Sequence, residues 1–237
     1  MDLIIESLPL LAKGLLVTFQ LAVLTLLCAT VLSAVFGLMG ASRHWYLQAA
    51  ALVYVEFFRD IPLVVNLLFV YFGAPLVGIP LDPFSAALVS FSSWGGANGA
   101  EIVRGGFNSI SKHQRESAMA LGLKPWESVC FVLAPQVLLP IIPAFTGLFS
   151  VLIQATSLAS LVGALELFRS SQIIVERSTM MTGYSPAFTV YGVILCVYFV
   201  VCYSLTWLSK RLEKRLTDRA SAGRNAQKLN QGAAESV

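Results

Sequence analysis

Long uncharged runs separated by short charged ones give this chain its rhythm. From Gly14 to Ser42 no charged residue occurs and Leu, Val and Ala dominate, enough for one crossing, since a helix needs about 20 apolar residues to span hydrocarbon. A cleaved signal peptide is the competing reading, but it would start positive with a shorter apolar core, and this chain opens with Asp2 and Glu6. The window Ile61–Leu81 is interrupted by Pro75, Gly78 and Pro80, so the second helix is expected to begin near Ala49 and end near Gly73, with Glu56, Arg59 and Asp60 in its first turns. A third window, Pro83–Ala100, closes on Glu101 and Arg104. Ser128–Leu165 is too long for one helix and carries Pro135, Pro140 and Pro143 early, which puts the crossing at Gln136–Ser157. A last apolar run, Ala187–Leu208, stops at Lys210-Arg211. The pattern predicts an all-α polytopic membrane protein with five transmembrane helices at about 14–41, 49–73, 83–104, 136–157 and 187–209. They form a single domain, 1–216, with a loop at 105–135 between spans three and four. Leu158–Phe168 is apolar but too short to cross, and reads as an interfacial or re-entrant piece. The tail 217–237 has few large apolar residues and is expected to be disordered beyond its first helical turns.

Five crossings put the two ends on opposite sides, and the basic residues decide which is which. With the N-terminus outside, thirteen Lys and Arg fall on the cytosolic side and only Lys13, Arg169 and Arg177 outside, as the positive-inside rule requires. The C-terminus is then cytosolic. Composition agrees: 57% hydrophobic against 12% charged residues over 237 positions excludes a disordered chain, a disulfide-built secreted module and a cytosolic enzyme. The net charge of +3 matters less than its placement, and no nucleic-acid partner is expected. Cys28, Cys130, Cys196 and Cys202 stand singly, without C-x-x-C or His partners at metal-site spacing, and read as small apolar packing residues.

The loop 105–135 carries the strongest functional signal. Glu116 to Leu121 are good helix formers, Gly122 can take the left-handed turn that ends a helix, and Pro125 suits the first turn of the next. A short helix projecting Ser117, Ala118 and Ala120 before a sharp turn has the shape of a knob for another protein's groove, although alone it could be an ordinary surface loop. Glu116-Ser117-Ala118, Gly122 and Pro135 resemble the E-A-A, three residues, G, nine residues, I-x-L-P signature of ABC importer permeases, in register throughout. Ser117, Val132 and Ala134 replace the usual Ala, Ile and Leu. Tyr54-Val55-Glu56-Phe57-Phe58-Arg59-Asp60-Ile61-Pro62-Leu63 is similar to the Y-V-E-x-F-R-x-x-P-L of the polar amino acid branch. Ala100-Glu101-Ile102-Val103-Arg104-Gly105-Gly106 is similar to that branch's A-E-I-x-R-G-G, and Thr156-Ser157-Leu158 to its D-T-S-L, with Ala155 in place of the acid.

The resemblance implies a permease subunit in the bacterial inner membrane, with Glu116, Ser117, Ala118, Ala120, Gly122 and Pro135 coupling it to separate ABC ATPase subunits. Other implied partners are a second permease chain, identical or paralogous, an extracytoplasmic solute-binding protein, a polar amino acid and membrane lipid. No G-x-x-x-x-G-K-[ST] occurs, so this chain lacks a phosphate cradle; ATP and Mg would sit on the partner, with no cofactor here and no catalytic or metal site. Helical spacing suits ion pairs between Glu56 and Arg59 and between Glu101 and Arg104, preferred over substrate contact for groups near an interface. Path candidates able to meet a zwitterion are Ser93, Asn98, Gln154, Thr156 and Ser157, any of which could instead satisfy a neighbouring helix. An ion-gradient-driven secondary transporter is the alternative, but it would show inverted repeats and paired intramembrane charges. A sensor subunit that docks without transporting also fits the loop.

Overall fold

A computed structural model describes residues 2–234, and all its regular elements are helical. In chain order they are α1 (Asp2–Gly40), α2 (Trp45–Asp60), α3 (Leu63–Gly73), α4 (Pro83–Ser109), α5 (Lys112–Ala120), α6 (Pro125–Glu127), α7 (Ala134–Ala155), α8 (Leu167–Thr182) and α9 (Ala187–Ala234). Tight turns of helix follow α3 (Ala74–Val77) and α7 (Thr156–Val162), and one wide turn (Ser128–Leu133) leads into α7.

The second span is not the single helix expected at 49–73. It is two, α2 and α3, meeting at 102°. Pro62 is the cause: a proline pushes the preceding residue out of the helical region, and Ile61 is extended at φ −86°, ψ 130°. Glu56, Arg59 and Asp60, expected in the first turns of a span, therefore sit in the closing turns of α2. Three helices among the described residues are long and apolar enough to cross a membrane, Ile5–Gly40, Pro140–Val162 and Ala187–Arg215, with the bent pair as a fourth. The third predicted span, 83–104, forms α4 and continues to Ser109, but its Gly, Ser and Asn content keeps it off that set. Within the piece expected at 158–168 the chain makes a tight helical turn to Val162 and then leads into α8, a helix that the apolar pattern did not anticipate. The last helix runs on to Ala234, across most of the tail for which composition suggests disorder; 235–237 lie outside the described residues.

α4 occupies the middle of the bundle, packed against α1, α2, α3 and α7. Its glycines set the distance to α1. A Cβ at Gly95 would lie 2.7 Å from Leu152 Cδ1 and 3.1 Å from Ala29 Cβ; one at Gly96 would lie 2.6 Å from Leu32 Cβ; one at Gly99 would collide with Ser33. Small residues let two backbones approach where no water-driven force holds helices together. The Ser33 hydroxyl uses that closeness, donating to the Ala29 and Gly96 carbonyls. Tyr54 of α2 donates to the Ser93 carbonyl at 2.8 Å and Asn66 of α3 to that of Ser90 at 3.3 Å, while Tyr54 stacks on Phe36. Leu21, Leu67, Phe91 and Leu152 fill the core between α1, α3, α4 and α7.

Gly99→Ala is expected to destabilise the purified chain by about 1–3 kcal/mol through overpacking, whereas Gly147→Ala on α7, which meets nothing within 4 Å, should be neutral or slightly stabilising. Thermal unfolding in detergent compares them. Asp82 caps α4 by accepting from the Phe84 and Ser85 N–H groups. Hydrogen bonding, from Ser85 above all, holds its carboxyl below the ordinary carboxylate value. The cap's contribution is therefore present above the unfolded-state pKa and lost as pH falls through the lowered one. Asp82→Ala should cost about 1 kcal/mol at neutral pH and progressively less in acid, measured by the same unfolding at two pH values.

Candidate functional site

α5 is short and polar, and its C-terminal turn is built with care. Leu123 N–H donates to the Ala118 carbonyl at 3.2 Å and Gly122 N–H to that of Met119 at 2.9 Å, the paired bonds of a Schellman ending. Gly122 supplies the left-handed residue this requires, at φ +78°. Pro125 then opens α6, where the Glu127 carboxylate accepts from the Lys124 N–H at 2.8 Å. Leu121 is 81% exposed, and Ala120 and Trp126 are exposed beside it. The projecting apolar surface is thus Ala120, Leu121, Gly122 and Trp126. Ala118, expected on that surface, is 2% exposed and packs inward, because residues two apart on a helix face different ways, so the turn that exposes Ala120 buries Ala118. Ser117 is half-buried, while Glu116 is exposed and meets Lys112 at 3.3 Å. Pro135 is exposed at the start of α7.

Two contacts tie this knob to the bundle. Gln136 of α7 donates to the Gln114 side chain at 2.9 Å, and the Arg43 guanidinium, in the turn between α1 and α2, reaches the Met119 sulfur at 3.3 Å. Below it, Val103 and Phe107 of α4 pack with Leu133 and Val137.

Of the two expected ion pairs only one forms. Arg104 grips Glu101 through two guanidinium nitrogens, a bidentate arrangement with directional strength. Glu56 and Arg59 make no ion pair among the described residues. Arg59 instead lines an open cavity of about 1080 Å³, whose wall also includes Arg43, Glu56, Asp60, Glu101 and Arg104. The bend at Pro62 is responsible, since it leaves the end of α2 facing α4.

The path candidates fall into two groups. On α4, Ser93 and Asn98 are half-buried, with the Asn98 amide donating to the Trp94 carbonyl at 2.9 Å. At the end of α7, Gln154 is exposed, with its amide 3.8 Å from the Cys202 sulfur, and the Ser157 hydroxyl donates to the Gln154 carbonyl at 2.7 Å. Thr156 is fully buried and donates to the Ile153 carbonyl at 2.7 Å. Hydrogen bonds link neither group to the other among the described residues, although Gly95 on Leu152 holds α4 and α7 together. Sequence reasoning missed Glu166, a fully buried acid at the start of α8. Its signal was available: it is the only acid between Glu127 and Glu176, and a lone ionisable residue in an apolar stretch is a functional candidate.

The arrangement of a bundle around α4 with a knob at one end can be set beside known proteins. Residues 33–218 match the model of a family described as binding-protein-dependent transport system inner membrane component. The chain belongs to this family. The permease therefore resides in the inner membrane. The glutamine transport system permease protein GlnP of Escherichia coli (strain K12) is 32% identical over 212 residues, covering 89% of this chain and 94% of that one. The L-cystine transport system permease protein TcyB of Bacillus subtilis (strain 168) is 31% identical over 216 residues, covering 91% and 90%. Among solved structures, an amino acid ABC transporter with histidines superposes with a TM-score of 0.78 at 27% identity, over 90% of this chain and 96% of that one. An inward-facing MetNI methionine ABC transporter gives 0.72 at 22% identity, a likeness of fold.

Gly122→Ala places a side chain in the left-handed region at a cost of about 1–2 kcal/mol. The expected result is faster amide hydrogen exchange across 116–123 in the purified permease, with exchange in α1 and α4 unchanged.

Proposed function

We propose that this permease is the membrane subunit of an ATP-driven importer for an uncharged polar amino acid. The exposed knob around Gly122 carries the reading: a rigidly terminated helix presenting Ala120, Leu121 and Trp126 suits insertion into the cleft of a separate ATPase subunit. Relatives named for glutamine and cystine transport support the substrate class. The path candidates Ser93, Asn98, Gln154 and Ser157 are all uncharged, and Ala155 stands where the related motif has an acid, so a neutral side chain suits the path better than a cationic one. ATP and Mg bind on the ATPase; this chain contributes no nucleotide site. A second permease chain completes the path around a two-fold axis, and an extracytoplasmic binding protein delivers the substrate.

In this reading the membrane is crossed five times, by α1, the bent α2–α3 pair, α4, α7 and α9. The N-terminus lies outside and the knob and C-terminus lie in the cytosol, consistent with the distribution of Lys and Arg. Closure of the ATPases on ATP displaces α5, and the Gln136–Gln114 and Arg43–Met119 contacts transmit that shift to α7 and to the α1–α2 turn. A packed interface of this kind moves between discrete arrangements, which opens the path to one side at a time.

Tagged permease recovered from native membranes in mild detergent should bring down an ATP-binding subunit, and Leu121→Asp should reduce that recovery at least about tenfold without loss of permease, since an exposed side chain contributes little to the fold. Cells carrying the wild-type assembly should take up labelled glutamine in an ATP-dependent way. A permease recovered without any ATPase, with uptake that survives ATP depletion, would favour a carrier driven by an ion gradient.

A further inference from the structure

A carboxylate buried in apolar surroundings is costly unless every lone pair finds a donor. Glu166 is 0% exposed. Two of its acceptor sites serve α8, taking the Phe168 and Arg169 N–H groups at 2.7 Å each. Capping a helix explains that much, and a Ser or Asn would do it at a smaller desolvation cost. The third bond is different. Tyr198, 32 residues away on α9, donates its hydroxyl to Glu166 Oε2 at 3.3 Å. That hydroxyl also lies 3.4 Å from the Thr156 oxygen, so its one proton is shared between Glu166 and Thr156, whose own proton goes to the Ile153 carbonyl; beside them Thr18 of α1 accepts from the Leu167 N–H at 3.1 Å.

Three elements thus meet at one phenol, the turn after α7, the start of α8 and α9, while Thr18 ties α1 to the start of α8 beside it. The ring borders an apolar cavity of about 190 Å³, with Ile153, Leu167, Val197 and Val201 among its walls. Apart from Thr18 and the phenol itself, the groups lining that cavity are apolar, so the bonds to Glu166 and Thr156 orient the hydroxyl.

We infer that Glu166 is a positioning residue for transport: through the Tyr198 hydroxyl it holds Thr156, and so the turn that presents Gln154 and Ser157. Glu166 touches no substrate. Thr156 is buried and serves as the anchor, while its neighbours on either side of the turn are the exposed or half-buried groups. The consequence for substrate recognition rests on the amino-acid reading above; the positioning of the turn does not.

The test uses a permease whose four native cysteines are replaced by serine, in membranes with its assembled partners. Ser157→Cys is labelled with a maleimide, and Phe188→Cys, at a site 96% exposed, serves as the control. Tyr198→Phe removes only the hydroxyl, and Glu166→Gln replaces one acceptor oxygen by a donor. Each is expected to change the labelling rate at 157 by about fivefold or more, and the double variant no further than either single one, because all three break the same chain of contacts. Labelling at 188 stays unchanged. Without the cysteine reporters, each variant should raise the half-saturation for labelled glutamine uptake about fivefold while leaving the maximal rate within about twofold. The inference is overturned if labelling at 157 is unaffected, or if the control site changes equally, which would mark a general loosening of the fold. Absence of glutamine uptake by the wild type, with the labelling result intact, would defeat the substrate reading and leave the positioning role standing.

Discussion

The close approach of α1 and α4 is the constraint on which the other contacts depend. In an apolar solvent helices gain nothing by hiding apolar surface from each other, so packing and hydrogen bonding must hold them. Gly95, Gly96 and Gly99 bring α4 against α1, and Ser33 bonds directly to the Gly96 carbonyl across the contact. Once α4 is seated, its other faces become the surface on which α2, α3 and α7 assemble. Tyr54 and Asn66 dock onto backbone carbonyls of α4, and Gly106 admits Ile141 of α7, whose Cγ2 would sit 2.5 Å from an added Cβ. A helix this rich in Gly, Ser and Ala is a poor solute in lipid and a good one among other helices.

The knob inherits its position from the same helix. The cluster of Val103, Phe107, Leu133 and Val137 fastens the wide turn before α7 to the end of α4, so α5 and α6 stand on the central element rather than on a flexible connection. A shift of α5 therefore has a mechanical route inward. The Glu101–Arg104 pair, with Arg59 opposite, lies beside that route, where the end of α2 faces α4.

Where the chain signalled locally, the signal could be read. Gly122 and Pro125 mark the turn of the knob by conformational demands that any structure must honour, and the structure places them at φ +78° and at the first position of α6. Other features misled for equally physical reasons. Pro75, Gly78 and Pro80 drew the end near Gly73, where α3 does stop, but Pro62, which bends the apolar segment by 102°, went unread; proline restricts its predecessor wherever it stands, and surrounding hydrophobicity hides the effect. The Glu56–Arg59 pair had the right spacing on one helix, but no ion pair forms between them among the described residues, and both side chains line the cavity between α2 and α4.

The sequence by itself determined which segments are apolar, where Gly and Pro stop them, and which short helix ends in an exposed turn, because hydropathy and backbone restriction act over a few neighbouring residues. Tertiary structure decided what each polar group meets. Thr18 and Leu167 are 149 residues apart, and Glu166 and Tyr198 are 32 apart, yet they share one buried cluster. A buried donor or acceptor must be satisfied by whatever the fold brings within about 3 Å, and that neighbour is set by helix packing, which no local pattern encodes.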